Sequence, residues 1–369
     1  MAKPSQDLRT QVGQLLIMGF DGTEMSQKLR TMISGLQPGG IIFFRRNIEA
    51  AQQAFDLVQE CRGLVKVPLF TCIDMEGGTV DRLRDLIAPA PSVSAVFATG
   101  QKKLFRKHGR ILGEESRALG FNVDFAPVLD LRFEPSLSVL GSRTASTDPK
   151  QTIKYARELL KGLKDAGVLG CGKHFPGLGE AYLDTHKELP SIDKPWKKLW
   201  KEDLLPYREL RREMPFVMVA HAAYPAVTKN GTPASISKEW ISGILRNKIG
   251  YKGLAISDDL EMGGVLKAVS VEDAALQTMQ AGSDIFMICH NEEFVWRAYE
   301  AVLNQAEKDK KFAKRITECA ARVLAFKKKA KELRWKPKAP SQKTIDKLRR
   351  TLWEFSEEVR LDADAVKHA

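Results

Sequence analysis

The stretch from Lys173 to Pro190 concentrates residue types that can transfer protons. Its sequence is KHFPGLGEAYLDTHKELP, in which Asp184 stands two residues before His186. The apolar run at 168–172 predicts a buried strand that opens into a long loop. A carboxylate at this spacing can orient an imidazole, which suits acid and base roles near neutral pH. The alternative is a surface loop in which these two residues make only turn hydrogen bonds.

Two adjacent carboxylates, Asp258 and Asp259, follow the apolar run at 253–257. Neighbouring side chains of an extended strand point in opposite directions, so we expect only one of the two to reach a site at the strand end. The other would face surrounding helices or cap the next helix. A carboxylate beside a proton donor is what a retaining glycosidase needs, because the carboxylate attacks the anomeric carbon while the donor protonates the leaving oxygen. His186, oriented by Asp184, is the candidate donor.

A third polar cluster lies in IDMEGGTVDRLR at 73–84 and contains Asp74, Glu76 and Arg82. Carboxylates and guanidinium groups bind vicinal sugar hydroxyls through charge-assisted hydrogen bonds. Asp74 and Glu76 are also hard oxygen ligands, so a metal site is the alternative. No other carboxylate is spaced to complete such a site, and we predict neither a metal nor another cofactor.

The elements that must position these residues alternate regularly. Eight short apolar runs predict strands at 15–20, 40–44, 69–73, 123–131, 168–171, 216–220, 254–257 and 285–288. Helix-compatible segments lie at 50–65, 102–119, 152–166, 200–212, 238–248 and 271–281. This alternation predicts an α/β protein built as a (β/α)₈ TIM barrel. A doubly wound open sheet is the alternative, but the first run is not followed by a glycine-rich dinucleotide fingerprint.

Polar side chains stand where these apolar runs end. They are Asp74 and Glu76, Asp130, Lys173 and His174, His221, Asp258 and Asp259, and His290 with Asn291. The carboxyl ends of all barrel strands meet at one mouth, where the active site of this fold lies. The sequence therefore predicts one site shared by several strands.

The C-terminal part of the chain contains the charge excess. The net charge is +12, and residues 308–350 hold 17 Lys or Arg against 4 Asp or Glu, so the remainder is near neutral. We interpret the basic segment as a solvated helix face and not as a nucleic-acid site, and we leave open that it binds an acidic surface. The predicted organisation is a single catalytic barrel over 1–334. Residues 335–369 would form a linker and a last helix, at about 344–359, packed on the barrel.

Composition and cysteine usage suggest the compartment. No apolar stretch approaches the roughly 18 residues of a membrane span, and the first 20 residues lack the apolar core of an export signal. The five cysteines are odd in number and widely spread, as expected for free thiols in a reducing compartment. We therefore expect a cytoplasmic protein without a membrane span, and nothing in the sequence indicates an oligomeric state.

From Gln14 to Asn291 the sequence resembles the family 3 glycoside hydrolases, specifically the bacterial β-N-acetylhexosaminidases of cell-wall recycling. The motifs that carry the resemblance are GGIIFFRRN (39–47), IDMEGGTVDRLR (73–84), FAPVLDL (125–131), VLGSR (139–143), KHFPGLGE with LDTHKELP (173–190), VMVAHAAYP (217–225), PASIS (233–237), GLAISDDLEM (253–262) and AGSDIFMICHN (281–291). The fold of that family is a (β/α)₈ barrel, in agreement with the count of apolar runs.

The resemblance implies a role for each matched residue. Asp258 occupies the position of the nucleophile, and His186 that of the acid/base residue with Asp184 as its partner. The residues implied to hold the N-acetylglucosamine ring are Asp74, Arg82, Arg143, Lys173 and His174. The implied activity is a retaining exo-β-N-acetylglucosaminidase. It would remove the non-reducing sugar from 1,6-anhydro-muropeptide fragments through a covalent glycosyl-enzyme intermediate.

The catalytic loop departs from the family pattern at two positions. The pattern is usually Pro-Gly-His-Gly-Asp, whereas this chain has Leu178 and Glu180. We expect these changes to affect loop movement or rate, and not to abolish activity, because Asp184 and His186 are both present. A phosphorylase on the same scaffold and a non-catalytic sugar-binding protein are the alternatives.

Overall fold

A computed structural model describes residues 6–185 and 187–367. Within these residues eight parallel strands form a closed barrel. They are β1 Leu16–Met18, β2 Gly40–Phe43, β3 Phe70–Ile73, β4 Val123–Asp124, β5 Leu169–Phe175, β6 Phe216–Val219, β7 Leu254–Asp259 and β8 Ile285–Ile288. Each strand pairs with the next along the chain, and β8 closes the barrel against β1, where Leu16 lies opposite Phe286. The predicted (β/α)₈ barrel is confirmed, and the alternative of an open sheet is wrong.

Helices follow the strands around the outside. They are α1 Gln6–Gln14, α2 Gln27–Leu36, α3 Ala51–Gly63, α4 Val93–Ala98, α5 Lys102–Ala118, α6 Pro149–Ala166, α7 Trp196–Lys201, α8 Leu204–Leu210, α9 Pro225–Thr228, a π-helix Glu239–Lys248, α10 Gly263–Leu266, α11 Val271–Ala281, α12 Glu292–Lys308, α13 Lys310–Lys329 and α14 Gln342–Lys367. Local sequence sets several of these ends. Ser270 accepts a hydrogen bond from the Asp273 amide and so caps α11, while α6 ends at Gly167 in the left-handed region.

Several elements differ in length from the prediction. The structure has only two residues of β4 where nine were expected, because Pro127 has no amide donor and the chain beyond Asp124 pairs irregularly with β5. Strand β5 runs on to Phe175, so Lys173 and His174 lie within it and not beyond its end. The helix predicted at 200–212 is two helices, α7 and α8. The last helix is longer than predicted at both ends.

One end of the barrel is closed by α13. The Phe326 ring lies 6.0 Å from that of Phe70 and 5.4 Å from that of Phe216, at the amino ends of β3 and β6. Next to it, the buried Lys327 ammonium donates to Gln14 Oε1 at 2.8 Å and to the carbonyl oxygen of Gly39 at 2.7 Å. The opposite end, where the strands have their carboxyl ends, is the mouth.

The last helix, α14, lies against α4 and α5. Phe355 stacks on His108 with ring centroids 5.7 Å apart, and Lys107 Nζ lies 2.6 Å from Glu358 Oε2. The domain boundary at residue 334 stays a prediction. Across the described residues, no helix has the length and apolar character needed to cross a bilayer.

Candidate active site

A cavity of about 270 Å³ opens at the mouth of the barrel. Its lining includes Asp258 and all five residues predicted to bind the sugar: Asp74, Arg82, Arg143, Lys173 and His174. The structure thus brings together residues from β5 and β7 and from the loops that follow β3 and β4. The volume lies just below the usual range for ligand pockets, roughly 300–1,000 Å³, which suits a single sugar unit.

Asp74 lies directly after β3, between two cations. Its Oδ1 lies 3.0 Å from Lys173 Nζ, and its Oδ2 lies 2.9 Å from Arg82 Nη2. Burial by itself favours the neutral acid, but Lys173 and Arg82 hold the pKa of Asp74 below its ordinary value. Asp74 is therefore an anion at the cavity wall and can accept hydrogen bonds from sugar hydroxyls.

Glu76, in the short ribbon Met75–Gly77, completes this charge network. It is fully buried and accepts from Arg143 Nε at 2.8 Å and from Arg143 Nη2 at 2.9 Å. Lys173 Nζ lies 2.6 Å from its Oε1. Burial opposes ionisation, but Arg143 and Lys173 lower the pKa of Glu76 to about 2. The sequence placed Glu76 at a strand end but did not identify it as the residue that positions these two cations.

The same contacts bear on the metal alternative. The carboxylates of Asp74 and Glu76 are neutralised by Lys173, Arg82 and Arg143, so they are not a free pair of metal ligands. In the described parts of the chain, no group of three or more His, Cys, Asp or Glu is arranged to hold a metal ion.

Asp130 holds the loop that begins after β5. Its Oδ2 lies 2.7 Å from His174 Nδ1, while its Oδ1 accepts from the Leu178 amide at 2.7 Å. The imidazole of His174 is thereby fixed at the cavity wall. Leu178, which replaces the His of the family pattern, is buried and lines the cavity.

The two adjacent carboxylates at the end of β7 have different environments. Asp258 is half-buried and accepts the amide of Asp259 at 2.8 Å, whereas Asp259 is buried and accepts the amides of Glu261 and Cys289, each at 3.1 Å. Burial, reinforced by the charges of Glu261 and Asp258, raises the pKa of Asp259 to about 8. Asp259 is therefore harder to ionise than an ordinary carboxyl group, which disfavours it as a nucleophile.

Both Asp258 and Asp259 belong to the cavity lining, although the side chain of Asp259 is only 10% exposed. The register between β7 and β8 shifts between the pairs Ile256–Ile285 and Asp259–Met287. Such a bulge breaks the strict alternation of side chains, so the period-two argument fails at this point of the strand.

The loop after β5 is docked against the segment that follows β7. Gly264 donates its amide to the carbonyl oxygen of Thr185 at 3.0 Å, and Lys267 forms an ion pair with Glu188. A Cβ atom at position 264 would lie 2.9 Å from that carbonyl oxygen, so the contact requires glycine. Thr185 lines the cavity, and Asp184 beside it is half-buried. His186 lies outside the described residues.

Glu180, the second departure from the family pattern, ties the start of this loop to α7 and α8. Its Oε1 lies 3.0 Å from the ammonium of Lys194, whose side chain is fully buried. The same ammonium lies 2.7 Å from Glu202 and 2.6 Å from Asp203, the two residues that separate α7 from α8. The longer Glu side chain thus reaches a buried cation shared by three carboxylates.

Phe44, an aromatic residue that lines the cavity, is not among the site residues predicted from the sequence. Its ring is stacked on that of His290 with centroids 5.1 Å apart, and the guanidinium of Arg82 lies 5.2 Å from its centre. Phe44 comes directly after β2, within the GGIIFFRRN motif, so its position at a strand end was the available signal.

Comparison with known proteins agrees with this geometry. Residues 7–326 match the model of the glycosyl hydrolase family 3 N-terminal domain. A beta-hexosaminidase of Alkalilimnicola ehrlichii is 36% identical over 287 residues, which cover 76% of this chain and 82% of the relative. A beta-hexosaminidase of Nitrosomonas eutropha is 35% identical over 283 residues, covering 75% and 80%.

Solved structures show the same relationship. A family 3 β-N-acetylglucosaminidase from Paenibacillus is similar with a TM-score of 0.89 and 34% identity, over 95% of this chain and 68% of that one. LpqI of Mycobacterium tuberculosis is similar with a TM-score of 0.78 and 32% identity, over 86% of this chain and 93% of that one. From the family match over most of its length, the chain belongs to glycosyl hydrolase family 3 and is a glycoside hydrolase.

Proposed function

We propose that this protein is a retaining exo-β-N-acetylglucosaminidase with Asp258 as its nucleophile. The observation that supports this most is the position of Asp258 in a cavity sized for one sugar, facing the ionised network of Asp74, Glu76 and Lys173. A cavity of this size favours cleavage of the terminal sugar over cleavage within a chain. The names of the relatives support N-acetylglucosamine as that sugar.

In the first step, a carboxylate oxygen of Asp258 attacks the anomeric carbon, and the bond to the leaving oxygen breaks. The leaving oxygen takes a proton from His186, while Asp184 stabilises the imidazolium before transfer. The environment of Asp259 supports this assignment, because burial raises its pKa and makes it the less reactive carboxyl group of the pair. In the second step, water attacks the glycosyl-enzyme and gives its proton to the imidazole, so that Asp258 is released.

The residues around the nucleophile have different hydrogen-bonding roles in binding the sugar. Asp74 accepts hydrogen bonds from ring hydroxyls, whereas Arg143, Lys173 and His174 donate to hydroxyl and acetamido oxygens. Because Glu76 and Asp130 anchor three of these side chains, the binding groups are in place before substrate arrives.

The physiological substrate that we propose is a 1,6-anhydro-muropeptide fragment, released during cell-wall recycling in the cytoplasm. The location is supported by the five cysteines, all of which are buried free thiols, as a reducing compartment would keep them. The substrate rests on the likeness to bacterial enzymes of this family and on the single-sugar cavity.

The test compares a chromogenic β-N-acetylglucosaminide with the matching β-glucoside. We expect kcat/KM to favour the acetamido sugar strongly, and comparable values would contradict the proposed substrate. Asp258→Ala should lower kcat by several orders of magnitude, while Asp346→Ala, which removes an exposed carboxylate far from the mouth, should not.

Intact-mass analysis with a fluorosugar identifies the nucleophile itself. We expect one covalent adduct, which peptide mapping places on Asp258. An adduct on Asp259, or on neither acid, would refute the assignment. Release of sugar phosphate in place of free sugar in phosphate buffer would show that the acceptor is phosphate and not water.

A further inference from the structure

We propose that the end of the barrel opposite the mouth docks on membranes that contain anionic phospholipids. We call this surface the basic end face and define it by eight residues: Lys328, Lys329, Lys331, Arg334, Lys336, Lys338, Lys343 and Lys347. The inference does not depend on the proposed substrate.

The basic end face is an uncompensated concentration of positive charge. All eight side chains are exposed, and within the described residues none of them lies within 4 Å of a carboxylate oxygen. Between residues 328 and 347 the sequence offers only Glu332 and Asp346 as acids. Some exposed cations elsewhere on the surface are paired, as Arg297 is with Glu272 at 2.7 Å. The face is therefore free to bind an external anion.

Two grooves locate four of these cations, Lys329, Lys336, Lys338 and Lys347, at the closed end of the barrel. The first, of about 640 Å³, is lined by Lys329 together with Leu169, Pro215 and Gly253, which stand at or just before the amino ends of β5, β6 and β7. The second, of about 510 Å³, lies where α5 and α6 end and is lined by Lys336, Lys338 and Lys347. Both grooves thus open away from the mouth.

The lining of the grooves favours a phospholipid over a nucleic acid. The first combines the apolar residues Met214, Pro215 and Phe326 with four cations, Arg211, Arg212, Lys252 and Lys329, against two acids, Glu213 and Glu332. That combination matches a phosphate headgroup joined to an apolar glycerol and acyl region. Single-stranded nucleic acids are bound on free aromatic faces, but Arg117 covers one face of Trp335 in the second groove, at 3.9 Å from its ring centre.

Docking through this face leaves the enzyme accessible. The cavity with Asp258 lies at the carboxyl ends of the strands, so it points away from a bilayer that contacts the amino ends. The residues of the basic end face take no part in the contacts of the active site. Binding and hydrolysis of a soluble substrate can therefore be measured separately.

The test is co-sedimentation with vesicles of phosphatidylglycerol and phosphatidylcholine, against vesicles of phosphatidylcholine alone. Each basic residue near an anionic leaflet contributes about fivefold to partitioning, so removing four should weaken binding on the order of several hundred-fold. The variant is Lys329→Gln, Lys331→Gln, Lys336→Gln and Lys338→Gln in one chain. Its activity on a soluble chromogenic substrate should stay at the wild-type level, which shows that it folds.

The matched control removes four charges from the mouth half. Lys102, Lys150, Lys197 and Lys238 are exposed and stand at the starts of helices that follow the carboxyl ends of strands. Their replacement by Gln should weaken vesicle binding no more than several-fold. Equal losses in the two variants, or no preference of the wild type for phosphatidylglycerol, would overturn the proposal. So would an oligonucleotide that binds more tightly than the vesicles and requires the same four lysines.

Discussion

Replacing Glu76 by Gln tests how much the buried carboxylate beside the proposed sugar site contributes to stability and activity. The substitution keeps the size of the side chain and removes its negative charge. That carboxylate accepts two hydrogen bonds from Arg143, at 2.8 and 2.9 Å, and lies 2.6 Å from the Lys173 ammonium. A pKa lowered from 4.5 to about 2 corresponds to about 3 kcal/mol in favour of the ionised form. Breaking a buried pair from one side costs about 3–5 kcal/mol. We therefore expect the free energy of unfolding to fall by about 3–4 kcal/mol at pH 7.

The pH dependence of this loss follows from the lowered pKa. Glu76 contributes its stability fully above about pH 5, and the contribution disappears as the pH falls from about 4.5 towards 2, because the unfolded chain binds a proton in this window while the folded state stays ionised. Urea unfolding of wild type and Glu76→Gln at a series of pH values should show two curves that converge on the acid side. A difference that stays constant with pH would refute the reasoning.

Activity provides a second measurement on the same variant. Charge-assisted hydrogen bonds are worth about 1.5–3 kcal/mol, so a loosened Arg143 should reduce kcat/KM by about 10- to 150-fold. Glu354→Gln is the matched control, because Glu354 is exposed and removing its charge leaves no buried cation. If Glu76→Gln keeps kcat/KM within twofold of the wild type, Glu76 does not position the binding groups.

Three further predictions concern the proton donor, the second carboxylate and the loop. His186→Ala should lower the rate of glycosylation by orders of magnitude on a natural disaccharide linkage but by less on an aryl glycoside. Asp184→Asn should show a milder form of the same pattern. An equal loss of rate for good and poor leaving groups would contradict the assignment. Because the pKa of Asp259 is raised to about 8, the wild type loses stability as the pH rises from about 4 to 8. In urea unfolding, Asp259→Asn should therefore become more stable relative to the wild type over that pH window. A difference in unfolding free energy that does not change with pH would contradict this. Lys194→Met should lower the free energy of unfolding by about 3–5 kcal/mol and speed limited proteolysis of the loop after β5, because three carboxylates lose their buried cation. The control Lys198→Met removes an exposed lysine and should change both measurements little. Equal effects of the two substitutions would show that burial of the cation is irrelevant.

The sequence by itself determined the fold and the membership of the site. Eight apolar runs separated by helical segments are sufficient for a closed parallel barrel, and in such a barrel every strand has its carboxyl end at the same mouth. For that reason Asp74, Lys173, His174 and Asp258 line one cavity although up to 184 residues separate them. Residue type and position at a strand end were therefore sufficient to predict which residues line the cavity, although the sequence does not show which of them contact each other.

The tertiary structure alone decided the charge state and the partner of each group. Glu76 meets Arg143 and Lys173 across 67 and 97 positions of sequence, and a pattern of residue types cannot specify such pairs. The bulge in β7 brings Asp259 to the cavity, and burial then raises its pKa to about 8. Likewise, the location of the basic residues after 327 could not be predicted from the sequence. They lie opposite the mouth because α13 packs against the closed end of the barrel. Periodicity depends on local geometry, whereas burial and pairing depend on how distant segments meet.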